Sequence, residues 1–245
     1  METRQINIHH GEFPKQPNTI RFVCISDTHN KTKSLKVPEG DVLLHSGDFS
    51  NIGDDKDIIH FNDFLSTLPH THKVVIAGNH DLSFDLENNA SLKRNFNNLN
   101  SLNAAETKAK LRNCIYLEDS GINLLGYNIY GSPWTPTFYD WAFNLDRGEN
   151  IRKKWELIPA NTEILLTHGP PHRILDRCSD GFSAGCEELI IKIQEFRPMV
   201  HLFGHIHEAY GTFFDGTTNY INASICTLRY SPSNKPYVFD LPIRN

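Results

Sequence analysis

Five apolar segments of this 245-residue chain each run directly into a cluster of aspartate, asparagine or histidine residues. The segments and the residues that follow them are IRFVCIS before Asp27, Thr28 and His29; VLLHSG before Asp48; KVVIAG before Asn79, His80 and Asp81; EILLT before His168; and VHLFG before His205 and His207. Near-continuous apolar runs are typical of strands that are covered on both faces. Because the carboxyl ends of parallel strands meet at one edge of a sheet, we expect these polar residues to form a single site there.

The remainder of the chain alternates between strand and helix patterns. Strands are predicted at residues 20–25, 42–45, 73–77, 115–117, 128–130, 163–167, 199–203, 217–222 and 237–241. Helices are predicted at residues 58–67, 104–112, 150–155 and 186–196. Strands that alternate with helices indicate a layered α/β fold.

The length suits one large α/β domain, and no internal repeat or linker divides the chain. Residues 1–18 are polar and show no periodicity, so we expect a loosely ordered N-terminal arm before a single domain at 19–245. Residues 88–103 are rich in asparagine and are interpreted as a surface loop with an exposed helix. The alternative for that segment is a mobile lip over the site.

Composition narrows the classes of partner. The net charge of −5 and the pI near 6.2 argue against binding to long nucleic acids, which rests on clustered Lys and Arg. No apolar run of about 18 residues predicts a membrane span, and the first residues do not resemble a secretory signal. We therefore expect a cytoplasmic protein whose five cysteines, none in a C-x-x-C pair, stay reduced and outside catalysis.

The donor types at the strand ends select a class of metal. Carboxylate, carboxamide and imidazole ligands without thiolate suit Mn²⁺, Fe, Zn²⁺ or Mg²⁺, and the number of histidines disfavours Mg²⁺ alone. Seven ligands are too many for one tetrahedral ion and fit two ions that share a carboxylate, roughly 3.5–4 Å apart. Such a centre lowers the pKa of a bound water, offsets charge on phosphoryl oxygens and aligns phosphorus for in-line attack. The sequence therefore predicts a two-metal hydrolytic site.

The order D-x-H, GD, GNHD, H-G and GH-x-H resembles the five motifs of the calcineurin-like metallophosphoesterases. Further segments resemble the metallophosphoesterase-domain-containing branch of that superfamily, namely GSPWTP at 131–136, WAFNLDRGE at 141–149, THGPP at 167–171, GCEEL at 185–189, FGHIHEAYGT at 203–212, YINAS at 220–224 and VFDLP at 238–242. The similarity covers residues 20–242. It implies an α/β sandwich of two packed, mainly mixed β-sheets flanked by helices, with a dinuclear metal site at the carboxyl ends of the strands.

The resemblance also implies a role for each motif residue. The ligands of the first metal would be Asp27, His29 and His207, those of the second would be Asn79, His168 and His205, and Asp48 would bridge the two. His80 would stabilise the phosphoryl oxygens or protonate the leaving alkoxide. Asp81 would orient a neighbouring histidine. Mn²⁺ is the expected ion, with Fe or Zn²⁺ as alternatives that accept the same donors.

The activity implied by the branch is hydrolysis of small phosphodiesters, in particular cyclic nucleotides, with AMP-like or GMP-like nucleotides as products. One alternative is a nucleotide-binding or regulatory protein of the same fold with weak or vestigial hydrolysis. Another is a nuclease, although the only dense basic run is at 152–154. In Ser/Thr protein phosphatases an arginine follows the Gly-Asp pair, whereas none follows Gly47 and Asp48 in the segment GDFS. This difference argues against a phosphoprotein substrate. The oligomeric state stays open.

Several further residues have two interpretations each. His45 and His201 lie within predicted strands and are interpreted as hydrogen-bonded core histidines, with a contact to Asp48 as the alternative for His45. For His172, after THGPP, the alternative to a surface position is a contact with substrate. For Trp134 and Trp141 the alternative to a core position is a wall against which a base stacks. For Arg147 and Arg177 the alternative to a solvated position is a phosphate contact.

Overall fold

The apolar runs form the central strands of two six-stranded mixed sheets. The computed structural model describes residues 5–96 and 103–244. The first sheet has the order β1-β14-β2-β3-β4-β5, where β1 is Ile8–His10, β2 is Thr19–Ile25, β3 is Val42–Ser46, β4 is His72–Ile76, β5 is Ile115–Tyr116 and β14 is Tyr237–Pro242. Strands β2 to β5 are parallel to one another, and β14 and β1 add antiparallel strands at one edge.

The second sheet repeats this plan. Its order is β12-β13-β11-β10-β7-β6, where β6 is Ser120–Leu124, β7 is Tyr127–Ser132, β10 is Ile164–Thr167, β11 is Val200–Phe203, β12 is Gly211–Phe214 and β13 is Asn219–Asn222. The four inner strands are parallel, and β12 and β6 are antiparallel edges. A small parallel pair joins β8, Thr135–Pro136, to β9, Asn144–Leu145.

The alternation of side chains along the strands builds two buried apolar clusters. Phe22, Cys24 and Leu44 of the first sheet share one buried cluster with Leu166 and Leu202 of the second, so this cluster lies between the sheets. The opposite faces are covered by helices. These are α1 (Asp55–Thr67), α2 (Asn89–Asn95), α3 (Ala104–Lys108), α4 (Glu149–Trp155) and α5 (Glu187–Phe196). The α/β sandwich of two mixed sheets flanked by helices is thereby confirmed.

Helix α1 begins three residues before the predicted start. Asp54 caps it by accepting a hydrogen bond from the backbone N–H of Asp57 at 2.8 Å. The helix buries Ile58, Phe61 and Leu65, which recur on one face. The apolar periodicity begins at Ile58 and therefore predicted the helix only from that residue. The first turn is polar, and its start is set by the Asp54 cap.

The strands β1, β6, β8, β9 and β12 were not among the predicted strands, because they are short or lie at exposed edges. Ile8–His10 lies within the segment expected to be a loosely ordered arm and pairs with β14, Ile8 opposite Phe239. Within the asparagine-rich segment 88–103, α2 takes up the first part and residues 97–102 lie outside the described residues. No helix in the described ranges combines the length and apolar character that a bilayer crossing requires.

Candidate metal centre

The polar residues that follow five parallel strands meet at one edge of the sandwich. In the first sheet, β2 leads to Asp27 and His29, β3 to Asp48, and β4 to Asn79. In the second, β10 leads to His168, and β11 to His205 and His207. Six of these seven side chains, together with His80, form three overlapping groups of three residues. Within each group the ligand atoms lie within 4.8 Å of one another. Both sheets therefore contribute to one centre.

The first cluster consists of Asp27, His29 and His207. His207 Nε2 lies 3.2 Å from Asp27 Oδ1, and His29 Nε2 lies 3.3 Å from His207 Nε2. Asp27 and His29 are fully buried, and His207 is 9% exposed. Three ligand atoms from two sheets thus face a common point.

The second cluster consists of Asp48, His168 and His205, with Asn79 beside them. His168 Nε2 lies 3.3 Å from Asp48 Oδ2 and 2.9 Å from Asn79 Oδ1. The imidazoles of His168 and His205 have ring centroids 5.0 Å apart. The four residues bring one carboxylate, one amide and two imidazoles together.

Asp48 lies between the two clusters. Its Oδ2 is 3.3 Å from His168 Nε2 of the second cluster and 3.7 Å from His29 Nε2 of the first. Its Oδ1 accepts a hydrogen bond from the backbone N–H of His80 at 2.8 Å. This is the position that a carboxylate shared by two ions would occupy.

Backbone carbonyls orient three of the histidines. Nδ1 of His29 lies 3.2 Å from Ser50 O, that of His168 lies 2.9 Å from Ser46 O, and that of His207 lies 3.0 Å from Thr227 O. A carbonyl oxygen only accepts, so each Nδ1 carries a hydrogen, and each ring in its neutral form presents a lone pair at Nε2. These lone pairs face carboxylate and amide oxygens. Acceptors that face acceptors are stabilised by a cation between them, so the donor set fits bound metal ions.

The charges of the two aspartates dominate the electrostatics. Burial lowers the pKa of His29 to about 4 and that of His205 to about 3. Burial acts in the same direction on His168 and His207, but the carboxylates of Asp48 and Asp27 more than offset it and raise both pKa values to about 9. Burial disfavours charge on the aspartates, yet His207 beside Asp27 and His168 beside Asp48 hold both carboxyl pKa values below their usual range. The centre thus attracts positive charge.

Four of the candidate ligands have a left-handed backbone. The φ angles are 50° at Asp27, 40° at His29, 55° at Asp48 and 66° at His205. This region costs a residue with a side chain about 1 kcal/mol or more and persists where the surroundings impose it. Here the loops brace one another, since the backbone N–H of Asp27 donates to Gly47 O at 2.9 Å. Strain of this kind is concentrated at functional sites.

Two glycines allow the loops to approach the aspartates. A Cβ on Gly204 would collide with Asp27 Oδ2, and a Cβ on Gly78 would collide with Asp48 Oδ1. Each glycine directly precedes a candidate ligand, His205 in one case and Asn79 in the other. A side chain at position 204 would displace Asp27 of the first cluster, and one at position 78 would displace Asp48, which lies between the two clusters.

Ser224, beyond β13, supports Asp27 and had not been assigned a role from the sequence. Its hydroxyl donates to Asp27 Oδ2 at 2.9 Å, and its backbone N–H donates to Asn222 Oδ1 at 3.2 Å. Asn222 in turn donates from Nδ2 to Ile206 O at 2.8 Å. The available signal was the segment YINAS at 220–224, in which Ser224 follows the end of strand β13 as the candidate ligands follow their strands.

Asp81 has other partners than the histidine that was expected. Its carboxylate accepts hydrogen bonds from the backbone N–H groups of Asp48 at 3.0 Å, Gly78 at 2.8 Å and Ser50 at 3.0 Å. The short side chain is fully buried under the turns after β3 and β4, where backbone donors are the nearest polar groups. Burial, followed by the charge of Asp48, raises the pKa of Asp81 to about 8. Asp81 therefore braces the Asp48 turn through its backbone.

His45 is a buried, fully hydrogen-bonded histidine, one of the two interpretations from the sequence. Nδ1 accepts from the backbone N–H of Gly47 at 3.2 Å, so Nε2 carries the hydrogen and donates to Thr28 Oγ1 at 3.0 Å. Its hydrogen bonds thus go to the residues beside Asp48 and Asp27 and not to the carboxylates. His201 occupies a comparable place in β11, with Nε2 2.7 Å from Thr167 Oγ1.

Trp134 is a core residue, which excludes the base-stacking alternative for it. It is 2% exposed, its Nε1 donates to Asp119 Oδ2 at 2.8 Å, and Lys154 Nζ lies 4.1 Å from the ring centroid. Arg147 is also bound elsewhere, because its guanidinium donates to Gly185 O at 2.8 Å and to Ala184 O at 2.9 Å.

His172 lies among carboxylates of its own segment. Nδ1 is 3.7 Å from Asp176 Oδ2, and Nε2 is 3.8 Å from Glu187 Oε1. The described metal-ligand groups do not include it. A substrate contact by His172 stays a prediction.

An aromatic rim, defined as Phe138, Trp141 and Tyr230, borders the clusters. Trp141 packs on the ring of His80 with centroids 4.1 Å apart, and Tyr230 lies 4.8 Å from the His29 ring and 5.5 Å from the His207 ring. Phe138 lies 6.0 Å from the His205 ring. Phe138 is 51% exposed and Tyr230 is 44% exposed. Exposed aromatic faces beside a polar centre are available to a ligand. Only Trp141 had been singled out from the sequence.

Comparison with known proteins identifies the family of the chain. The model for the calcineurin-like phosphoesterase family matches residues 20–209. The human and mouse proteins named metallophosphoesterase domain-containing protein 1 are each 48% identical over 238 residues, which cover 94% of this chain and 73% of theirs. A UPF0046 protein of Caenorhabditis elegans is 41% identical over 94% of this chain and 62% of its own.

A solved structure has a similar fold. It superposes with a TM-score of 0.56 at 16% identity and covers 83% of this chain and 90% of its own. At that identity the likeness supports the fold alone, whereas the family match spans all five ligand segments in full, from Ile20 to His207. This chain therefore belongs to the calcineurin-like phosphoesterase family, and within it to the metallophosphoesterase-domain-containing branch.

Proposed function

We propose that this chain is a phosphodiesterase that hydrolyses small phosphodiesters with two divalent cations. Membership of the calcineurin-like phosphoesterase family supports metal-dependent hydrolysis of a phosphoester. The observation that carries the proposal is the position of Asp48, whose Oδ2 lies between His29 of one cluster and His168 of the other. A single carboxylate between two histidine clusters suits two ions and is superfluous for one.

The proposed ligands divide between the clusters. Asp27, His29 and His207 would hold one ion; Asn79, His168 and His205 would hold the other; and Asp48 would serve both. When bound, the two ions supply a water of lowered pKa as the nucleophile and offset charge on the phosphoryl oxygens. The carbonyls of Ser46, Ser50 and Thr227 bind Nδ1 of three of these histidines, which would leave their Nε2 atoms to hold the ions.

His80 is proposed as the catalytic histidine. Its Nδ1–H donates to Asn51 O at 2.8 Å, which leaves Nε2 as the nitrogen that can carry or deliver a proton. Its ring lies 4.7 Å from the His29 ring and is held by Trp141. From this position His80 would protonate the alkoxide that leaves phosphorus.

The aromatic rim supports the finer part of the proposal, a substrate with a planar group. Two exposed aromatic rings and the half-buried Trp141 surround a centre suited to phosphate, so a cyclic nucleotide fits both features. The product would then be a nucleoside monophosphate such as AMP or GMP. Mn²⁺ is the proposed ion, with Fe and Zn²⁺ compatible with the same donors.

Reconstitution of the metal-free protein tests this function. The chelated protein is loaded with Mn²⁺, Fe²⁺ or Zn²⁺, the metal content is measured, and hydrolysis of bis(p-nitrophenyl) phosphate and of 2′,3′-cyclic and 3′,5′-cyclic nucleotides is followed. We expect two ions per chain and turnover that returns with the metal. Turnover that persists in chelated protein, or no turnover with any of the three ions, would overturn the proposal.

The second candidate function is nucleotide binding with weak or vestigial hydrolysis. The aromatic rim favours it, because exposed rings bind a base whether or not the ester is cleaved. Calorimetric titration with AMP and GMP beside the turnover assay separates the two. Binding that matches or exceeds that of the cyclic nucleotides, without turnover, supports the binding protein.

A further inference from the structure

One carboxylate outside the clusters connects two of the loops that carry them. Asp57 lies in the first turn of α1, and its Oδ2 accepts from the backbone N–H of Asn51 at 2.8 Å and of Ile52 at 3.3 Å. Its other oxygen accepts from the side-chain amide of Asn30. Asn30 directly follows His29, and Asn51 lies three residues after Asp48. Asp57 thus holds the loops after β2 and β3 together.

The same carboxylate is joined to His80 through a peptide group. Asn51 O, which accepts the Nδ1–H of His80 at 2.8 Å, belongs to the peptide bond whose N–H is that of Ile52. A hydrogen bond from that N–H to a carboxylate polarises the peptide and makes its oxygen a better acceptor. The Asp57 carboxylate is therefore connected to the His80 imidazole through the peptide group between Asn51 and Ile52.

We propose that Asp57 is a positioning residue that acts on His80 through the carbonyl of Asn51. It keeps the hydrogen of the neutral imidazole on Nδ1 and the reactive nitrogen, Nε2, facing the centre. The inference rests on the proposed catalytic role of His80. A negative charge suits the task, because three N–H donors converge on one side chain that has two acceptor oxygens and no hydrogen to offer.

The alternative is that Asp57 only stabilises α1, because an acidic residue in the first turn of a helix interacts favourably with the helix dipole. Asp54 provides a matched control, since it caps the same helix by accepting the backbone N–H of Asp57. Replacing Asp54 by alanine weakens the helix start without removing an acceptor from Asn51, Ile52 or Asn30. Effects that appear in Asp57→Ala and not in Asp54→Ala then belong to the connection with His80.

The first test needs no turnover. Long-range ¹H–¹⁵N correlation spectra of ¹⁵N-histidine-labelled, zinc-loaded protein report which ring nitrogen of His80 carries the hydrogen, with His80→Gln used for assignment. We expect the Nδ1–H tautomer in the parent protein and in Asp54→Ala, and a mixture of tautomers in Asp57→Ala. An unchanged Nδ1–H tautomer in Asp57→Ala would overturn the inference.

The second test uses the leaving group. A nitrophenolate leaves without a proton, whereas the alkoxide of a cyclic nucleotide needs one, so loss of a positioned acid affects the two substrates unequally. In Asp57→Ala we expect kcat for a cyclic nucleotide to fall roughly tenfold or more and kcat for bis(p-nitrophenyl) phosphate to fall less than about threefold. The double variant with His80→Ala should be no slower than His80→Ala alone.

These outcomes separate the inference from the proposed function. If the parent protein hydrolyses neither substrate, the phosphodiesterase proposal fails while the tautomer measurement still decides the role of Asp57. Equal losses on both substrates, or additive effects in the double variant, would show that Asp57 supports the fold and does not act through His80.

Discussion

The first sheet contributes both aspartates and the asparagine of the candidate centre, whereas the second contributes only histidines. Asp27, Asp48 and Asn79 follow β2, β3 and β4, while His168, His205 and His207 follow β10 and β11. The negative charge of the carboxylates therefore lies on one side, and imidazoles close the site from the other. The two sides also depend on one another, because His168 Nδ1 donates to Ser46 O of the first sheet at 2.9 Å.

The buried histidines beneath the two sides show the same asymmetry. His45 in the first sheet has hydrogen bonds at both ring nitrogens, to Gly47 and Thr28. His201 in the second sheet bonds Thr167 through Nε2, and its Nδ1 is buried with no hydrogen-bond partner within the described part of the chain. Burial lowers the pKa of both to about 3, so both rings are neutral. The buried histidine of the first sheet, which carries the aspartates, is thus more completely hydrogen-bonded than its counterpart in the second sheet.

Removing the shared charge should have the largest effect. Asp48→Asn keeps the shape of the side chain but takes one negative charge from between the clusters, so we expect kcat/KM for bis(p-nitrophenyl) phosphate to fall roughly 10³-fold or more. Metal content should fall at both clusters. His205→Asn on the second-sheet side should reduce metal content toward one ion per chain, because Asp27, His29 and His207 remain.

The control for this pair is Asp63→Asn, an exposed carboxylate of α1. It should match the parent protein in turnover and metal content. If Asp48→Asn still bound two ions and turned over at the parent rate, the role of Asp48 between the clusters would be refuted. If His205→Asn lost both ions, the charge asymmetry would not govern metal binding.

A smaller effect should distinguish the two buried histidines. His45→Phe leaves the Gly47 N–H and the Thr28 hydroxyl without a partner, which should lower the free energy of unfolding by about 2 kcal/mol. In His201→Phe the Thr167 hydroxyl keeps its bond to Gly169 O, and an unpartnered nitrogen is removed, so we expect a change within about 1 kcal/mol.

Urea unfolding of the metal-free proteins measures both values. Because the two substitutions replace the same ring by the same ring at fully buried positions, the change in side-chain volume cancels in the comparison. Equal losses would mean that His201 Nδ1 has a partner after all, and the contrast between the sheets would disappear.

The candidate ligand positions could be located from sequence because each lies within a few residues after an apolar strand, a pattern that side-chain types display. Their division between two ions was implied by the family resemblance and stays a prediction. The supports could not be predicted in the same way. The acceptor that orients His80 is a backbone carbonyl of Asn51, and the donors that hold Asp81 are backbone N–H groups, which leave no trace in residue type. Edge strands such as Gly211–Phe214 were missed because exposure on both sides removes the apolar run that marks an inner strand.

Tyr230 was missed for a different reason. It lies in a loop with a φ of 55°, and nothing in its sequence neighbourhood marks a position over His29 and His207. Trp134 showed the opposite case, a loop-like tryptophan that is buried in the core. Exposure of an aromatic ring depends on how distant segments pack, so a local pattern does not determine it.

The cytoplasmic location stays a prediction from sequence.

The smallest effect concerns which side of the centre a planar group contacts. Tyr230 lies over the first cluster and Phe138 beside the second, so stacking on only one of them would place the base on that side. If the base stacks on Tyr230, Tyr230→Ala should weaken AMP binding about tenfold, Tyr230→Phe should leave it nearly unchanged, and Phe138→Ala should have a smaller effect. Calorimetric titration of metal-loaded protein with AMP and with ribose 5-phosphate provides the measurement, since only AMP carries a base. Equal weakening of both ligands in Tyr230→Ala would show that the ring supports the phosphate site and does not bind a base. A larger loss in Phe138→Ala would place the planar group beside His205 of the second cluster.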